Sequence, residues 1–425
     1  MTERDALLTA VQKRVERAQS GGDAAPLLEP AAAAEASTLA AEIRGTRDPD
    51  AWHALGMLHW LRSRALPEGE DQGDLADAVS MFLPFILSDF GQVALPRPLL
   101  PQLIDRAHEI AGSALTALSE SYDPDQIDGV VAAWRRIVFL TPESDRTGKA
   151  AALLNLGATL RVRHMAGGAL TDLDSAITAT EAGIAAAPED FPAAKTMRAN
   201  LGVMLQDRYL RAGSAADLHT AIEHFRAGAA AAEPSPERQM AFLNLGNALR
   251  LRYDRDGQIA DLAEAITVTE QAIAFDPEDP AARGNLGLML TVRFQRLGNR
   301  ADIDHAVEAL RAAVDRTPAD HPNRCARLSG LAAALGVRHE TVGTSGDADE
   351  AIDLARAARV AAPRDYRGLY LGNLGGALVR RFHDTHQAAD LDEAIATTRA
   401  SAPPSCASSP WPWRTNTPRK KNSMT

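Results

Sequence analysis

Residues 149–190 read KAAALLNLGATLRVRHMAGGALTDLDSAITATEAGIAAAPED, and this stretch decides the fold. From Ala150 to Leu160, alanine and leucine recur at helical spacing and predict a first helix, A. Gly167-Gly168 ends it, because glycine accepts the left-handed conformation at a helix C-terminus. Asp172 offers an N-cap for a second helix, B, with an apolar stripe of Leu173, Ala176, Ile177 and Ile184. Pro188 stops further winding. The stretch is one helical hairpin, and it buries its apolar faces only against further hairpins.

Those further hairpins are in the sequence. Asn155-Leu156-Gly157 recurs as Asn200-Leu201-Gly202, Asn244-Leu245-Gly246, Asn285-Leu286-Gly287 and Asn373-Leu374-Gly375, with a worn copy at Gly330-Leu331-Ala332. From glycine to glycine the steps are 45, 44 and 41 residues, then 45 to Ala332 and 43 to Gly375. The hairpin's internal ruler is shared. A stop glycine lies eleven residues on at Gly168, Gly213, Gly257, Gly298 and Gly343. An aspartate lies fifteen on at Asp172, Asp217, Asp261, Asp302, Asp347 and Asp390. Alanine lies nineteen on at Ala176, Ala221, Ala265, Ala306, Ala351 and Ala394. Proline lies twelve beyond that alanine at Pro188, Pro277, Pro318 and Pro363, and one residue late at Pro234. A fixed period of this size predicts a solenoid of stacked units.

The Leu-Gly pair in helix A, the small residue opening helix B and the proline twelve later resemble the tetratricopeptide repeat (TPR) family. That resemblance implies an all-α, TPR-like alpha-alpha superhelix of antiparallel helical hairpins. The ordinary unit has about 34 residues, whereas these have 41 to 45. The extra length falls between the glycine and the alanine, where about seven residues extend helix A by roughly two turns. The family's helix B aromatic is kept only as Phe225. The long unit, with Arg-Tyr/Phe and Asp-Leu-Asp-Glu-Ala-Ile phrases, looks like the repeat arrays of bacterial CHAT proteins, where they precede a caspase-like protease domain. The resemblance covers roughly residues 100 to 400. Divergent units are traced upstream at Gly56 with Asp74, and at Gly112 with Asp125, Ile127 and Pro142. The expected organisation is a helical cap over 1–48, with Gly21-Gly22 and Ala31 to Ala34 as breaks or spacers. Divergent repeats follow over 49–145, regular repeats over 146–400 and an aberrant tail over 401–425.

Composition narrows the function classes. A net charge of −11 argues against a general nucleic-acid binder, which needs a basic footprint. The N-terminus lacks an apolar signal core, and the most apolar stretch, Met81 to Leu87, is too short to span a bilayer. A cytoplasmic location follows by elimination, and abundant alanine and arginine with scarce lysine suggest a bacterial source. Two cysteines, Cys325 and Cys406, make neither a disulfide framework nor a zinc site. Phosphate-loop and His-Glu-x-x-His patterns are missing, and neither cysteine fits a protease nucleophile. The reading is a non-enzyme with no cofactor, no metal, no nucleic acid and no membrane partner.

Two ladders are the candidate sites. Asn155, Asn200, Asn244, Asn285 and Asn373 hold one place in successive A helices, which in this family line the concave groove. An amide both donates and accepts, so it suits a grip on an extended peptide backbone. Alternatively each amide bonds a neighbouring helix and fixes the stacking. Asn200, Asn244 and Asn285 are expected on one concave surface. Six residues after each glycine stand Arg163, Arg208, Arg252, Arg293, Arg338 and Arg381. They read either as a basic track for acidic partners or as ion-pair partners of acids such as Asp172 and Asp261. The aromatics and histidines that follow them, His164, Tyr209, Tyr253, Phe294, His339 and Phe382, read as filling between units.

The last unit begins well, but from Ser401 the text turns to proline, serine, tryptophan and base, with no acid after Glu393. A frameshift or truncation, or a disordered tail that binds something, accounts for it. Either way the final helix B is expected to be short, with Leu374, Leu378 and Ile395 poorly covered and self-association through the uncapped end. The function expected is a protein-binding scaffold for a peptide or partner protein. The alternatives are the regulatory part of a caspase-like protease system, and a self-associating architectural protein.

Overall fold

The computed structural model describes residues 2–401 except 23, 89, 91–92, 122, 168, 231–234, 345 and 364–366. Gly168, Pro234, Cys406 and the tail from residue 402, on which expectations rest above, lie outside the described residues. Among the described residues no strand occurs, and helices follow one another in packed pairs. The chain is all-α, with the TPR-like hairpin solenoid as its building principle. It divides into two compact units, residues 1–228 and 229–425.

The first unit opens with α1 (Glu3–Gly21), α2 (Ala25–Leu28) and α3 (Pro30–Glu42), packed on α4 (Pro49–Ala65). Thr2 starts α1 with a reciprocal capping box to Asp5. Leu8, Val11, Leu27, Leu39, Leu55 and Leu58 share one buried cluster, so these helices cap the first hairpin. Ala31 to Ala34 lie inside α3. The alanine run is therefore helix and not a spacer, as alanine's propensity favours, and α3 buries Ala32, Ala36 and Leu39. The hairpins are α4 with α5 (Gln72–Phe82), α7 (Leu100–Ser121) with α8 (Pro124–Leu140), α9 (Arg146–Met165) with α10 (Leu170–Ala186), and α11 (Ala194–Ala212) with α12 (Ala215–Ala229). The short α6 (Pro84–Leu87) links the first two.

The second unit holds four hairpins: α13 (Pro236–Asp256) with α14 (Ile259–Phe275), α15 (Pro280–Leu297) with α16 (Arg300–Asp315), α17 (Arg324–Val342) with α18 (Asp347–Ala361), and α19 (Arg367–Thr385) with α20 (Ala388–Ser401). Here each A helix also packs on the next A helix, α13 on α15, α15 on α17 and α17 on α19, while no two B helices pack to that degree. The A layer is thus the inner side of the stack.

Helix ends follow the ruler. Asp145, Ser235 and Asp279 cap α9, α13 and α15 through bonds from Gly148, Arg238 and Ala281 backbone N–H. Gly213, Gly257, Gly298 and Gly343 take φ of 74°, 70°, 72° and 75°, each returning its N–H to the carbonyl four residues back. The aspartates at Asp172, Asp217, Asp261, Asp302 and Asp390 are not N-caps. Each stands third in its B helix, and Asp347 stands first after Gly346. In the first turn a carboxylate still meets the positive helix end, and its oxygens stay free for another partner.

The repeated glycine is a packing device. A Cβ at Gly202 would meet the Phe225 ring at 2.7 Å, and one at Gly56 the Phe82 ring at 2.8 Å. Phe82 is thus a second helix B aromatic, in the divergent first hairpin, where the longer loop hides it from the ruler. At Gly112 a Cβ meets nothing within 4 Å, so that glycine does not serve the same close approach.

Candidate functional site

The arginine ladder closes on the aspartate ladder, nine residues on in each of the six regular hairpins. Arg208, Arg252, Arg293, Arg338 and Arg381 each donate through Nε and Nη2 to both oxygens of Asp217, Asp261, Asp302, Asp347 and Asp390, at 2.5–2.9 Å. Arg163 reaches Asp172 through Nη2 at 2.5 Å. The forks tie the end of helix A to the start of helix B inside one hairpin. Four of them also reach back one hairpin: Arg163 to Asp128 (2.8 Å), Arg208 to Asp174 (2.9 Å), Arg338 to Asp304 (3.3 Å) and Arg381 to Asp349 (2.6 Å). The bidentate carboxylates are buried, from 3% exposed at Asp390 to 8% at Asp261. A second set of pairs joins successive B helices, Arg311 to Glu350 and Arg356 to Glu393.

The Arg381 hydrogen bond holds the Asp390 carboxyl below its ordinary pKa, against the opposing effect of burial. A carboxylate with a depressed folded pKa stabilises fully above its unfolded value of about 4 and loses that contribution as pH falls through the folded value. The stability gap between wild type and Asp390→Asn is therefore expected to be wide at neutral pH and to close below about pH 4. Acid titration of urea midpoints measures it, and a gap unchanged at pH 2 contradicts the linkage.

A third basic ladder was not legible in the sequence. Lys149 donates to the Val138 and Thr141 carbonyls, Arg238 to Ala229, and Arg324 to Val314 and Thr317. Each stands eight residues before its unit's glycine or Ala332 and satisfies carbonyls at the end of the preceding B helix. A lysine and two arginines without a shared neighbour give no pattern to read.

The asparagine ladder splits. Asn155 donates to His108 Nε2 at 3.2 Å and ties α9 to α7. The bond requires the Nδ1-protonated tautomer. It suits a ring whose pKa burial lowers and that meets Trp134 edge-on at 4.7 Å. Asn373 donates to Ser329 Oγ at 2.7 Å and ties α19 to α17. Asn200, Asn244 and Asn285 are half-buried, and none makes a side-chain hydrogen bond among the described residues. The difference lies one helix away. Where the preceding A helix carries His108 or Ser329 three or four residues before its glycine position, the amide has a partner. Before Asn200 and Asn285 those two places hold only apolar side chains, Leu153 and Leu154 and then Phe242 and Leu243.

Asn200 lines a cavity of about 300 Å³ in the first unit, with Leu115, Leu154, Ala158, Arg161 and Met204. Its walls come from α7, α9 and α11, three successive A helices, with Thr180 of α10. In the second unit the worn Gly330 stands where an asparagine would, and Leu288 packs to 3.3 Å of its would-be Cβ. No group of three His, Cys, Asp or Glu side chains is placed to hold a metal among the described residues. No described helix is long and apolar enough to cross a membrane.

No protein-family model matches the chain, and no curated protein matches it. Among solved structures it is similar to the MamA RS-1 ArsTM double mutant, at 19% identity over 48% of this chain and 96% of that one, TM-score 0.33. It is also similar to a putative kinesin light chain with nearly identical TPR-like repeats from Podospora anserina, at 19% identity over 50% and 98%, TM-score 0.35. Yeast Tom70 aligns over 94% of this chain and 92% of its own, at 16% identity and TM-score 0.33. These scores carry no argument about partners, and the fold rests on the chain's own ruler and helix packing.

Proposed function

We propose that this chain is a non-catalytic protein-interaction scaffold that holds an extended peptide against its A helices. The observation that carries the reading is the pair of half-buried amides of Asn244 and Asn285 in the second unit, neither with a side-chain hydrogen bond among the described residues; Asn200 repeats the feature in the first unit. A half-buried amide without a protein partner is satisfied by water or by a ligand, and one that both donates and accepts matches a peptide backbone. The arginine ladder supports the frame of this site, since its donors are engaged by the chain's own carboxylates. Asn155 and Asn373 belong to the frame as well.

The test begins with selection of binding peptides from a random display library, followed by fluorescence polarisation with the enriched peptide. One hydrogen bond contributes about 1 kcal/mol, so Asn244→Ala and Asn285→Ala together, both in the second unit, are expected to weaken binding about 30-fold with helicity unchanged. Unchanged affinity removes the groove role. A second reading, the regulatory portion of a caspase-like protease system, is favoured by the 41–45-residue unit and by Asp390-Leu391-Asp392-Glu393-Ala394-Ile395. A histidine and a cysteine in a caspase-like context, encoded downstream in any frame, would support it.

A further inference from the structure

The outer face of α20 carries the features that join hairpins elsewhere in the second unit, and none of them is engaged among the described residues. Five residues after the ladder aspartate stands an apolar side chain. It is 2% exposed at Ile266, 3% at Val307 and fully buried at Ile352, but 43% exposed at Ile395. The residue after the aspartate behaves alike: Leu262 and Ile303 are fully buried, and Leu391 is 37% exposed. Two residues after the aspartate, Asp304 and Asp349 accept from Arg338 and Arg381 of the next hairpin. Their counterpart Asp392 has no partner among the described residues. Arg311 and Arg356 pair with Glu350 and Glu393 of the next B helix, and their counterpart Arg399 has no such partner among the described residues. By contrast Leu374 and Leu378, expected to be poorly covered, are buried at 1% and 0%, because α17, α18 and α20 all pack on α19. The open surface is thus one face of α20. With fourteen residues this helix is nearly as long as α18, with fifteen, and so is not cut short as expected.

We infer that this face docks the same face of a second copy of the chain, with the two α20 helices antiparallel about a two-fold axis near Ile395. The argument is self-complementarity. Asp392 and Arg399 stand seven residues apart, two turns and about 10 Å along one stripe, with Ile395 between them. An antiparallel copy sets Arg399 of each chain opposite Asp392 of the other and packs Ile395 against Ile395, the isologous pattern of a two-fold interface. It thereby supplies in trans the guanidinium that Asp304 and Asp349 receive in cis. One helix face against its copy buries less than the roughly 1,000 Å² of a firm interface, so the dimer is expected to dissociate in the micromolar range.

Sedimentation velocity of the full chain across a concentration series tests this. The wild type is expected to pass from monomer to dimer between about 1 and 100 µM. Asp392→Arg alone and Arg399→Asp alone set like charges opposite each other and are expected to stay monomeric over that range. The double variant Asp392→Arg/Arg399→Asp restores opposite charges and is expected to dimerise again, and the two single variants mixed are expected to form a heterodimer. Circular dichroism checks that each variant is folded, and recovery in the double variant separates a docking defect from a folding defect. A wild type monomeric at 100 µM overturns the proposal, as does a dimer indifferent to the single reversals, or a double variant that stays monomeric. If the wild type is monomeric but a chain ending at Ser401 dimerises, the occupant is the chain's own terminal segment and the proposal also falls.

Discussion

Arg293→Ala is expected to destabilise the second unit by about 3 kcal/mol, while Arg311→Ala costs less than about 1 kcal/mol. Both arginines form two-pronged pairs of similar length. Arg293 meets Asp302 at 2.9 and 2.7 Å, and Arg311 meets Glu350 at 2.5 and 2.9 Å. Burial decides between them. The Asp302 side chain is 6% exposed, whereas Glu350 is 36% exposed and Arg311 46%. Removing Arg293 strands a carboxylate away from water without a counter-charge, whereas removing Arg311 returns Glu350 to solvent. Arg293 is itself 28% exposed, which holds its effect at the low end of the buried-pair range. The double variant Arg293→Ala/Asp302→Ala leaves no orphan charge and is expected to lose less than Arg293→Ala alone. Urea unfolding followed by circular dichroism gives all three losses. Equal losses at Arg293 and Arg311 would contradict the burial argument.

Gly287→Ala and Gly284→Ala, three residues apart in α15, are expected to change stability in opposite directions. Both sit inside the helix, where alanine is favoured over glycine by up to about 1 kcal/mol. At Gly284 the nearest atom to an added methyl is the Ala313 Cβ at 3.8 Å, ordinary contact. That substitution is expected to stabilise by roughly 0.5–1 kcal/mol. At Gly287 the methyl would meet the Ala306 carbonyl oxygen at 2.9 Å and Leu310 Cγ at 2.5 Å. Leu310 is buried, and a backbone oxygen does not swing aside, so α16 must move off α15. Overpacking of this kind costs about 1–3 kcal/mol and outweighs the gain in propensity. Thermal midpoints of the two variants decide the point, and a stabilised Gly287→Ala would mean that the hairpin's close approach is not what keeps glycine there.

The hairpins were readable because their determinants are local. Helix A, its stop glycine and the start of helix B are set by residues within a few turns of one another. Six copies at one spacing removed the ambiguity of any single copy, and the Arg-to-Asp spacing of nine was equally visible. The role of that aspartate was misread because N-cap and third helical position differ by where the helix begins, which depends on Gln258 or Asn299 three residues earlier. Phe82 escaped notice because an irregular loop puts it off the ruler.

What the sequence determined by itself is the all-α class, the number and phase of the regular hairpins, and the residues that face the neighbouring helix. A repeated 3.6-residue pattern fixes these through short-range contacts. What only the tertiary structure decided is which members of each ladder are engaged. Asn155 and Asn285 occupy the same place in the repeat. One is bonded and the other has no side-chain partner among the described residues, because His108 faces the first while apolar Phe242 and Leu243 stand three and four residues before the glycine ahead of the second. Ile352 and Ile395 likewise hold one register position, yet one is buried and the other exposed. In a stacked array a side chain's fate is set by the unit beside it, some 40 residues away in sequence, and the repeat pattern holds no information about that neighbour.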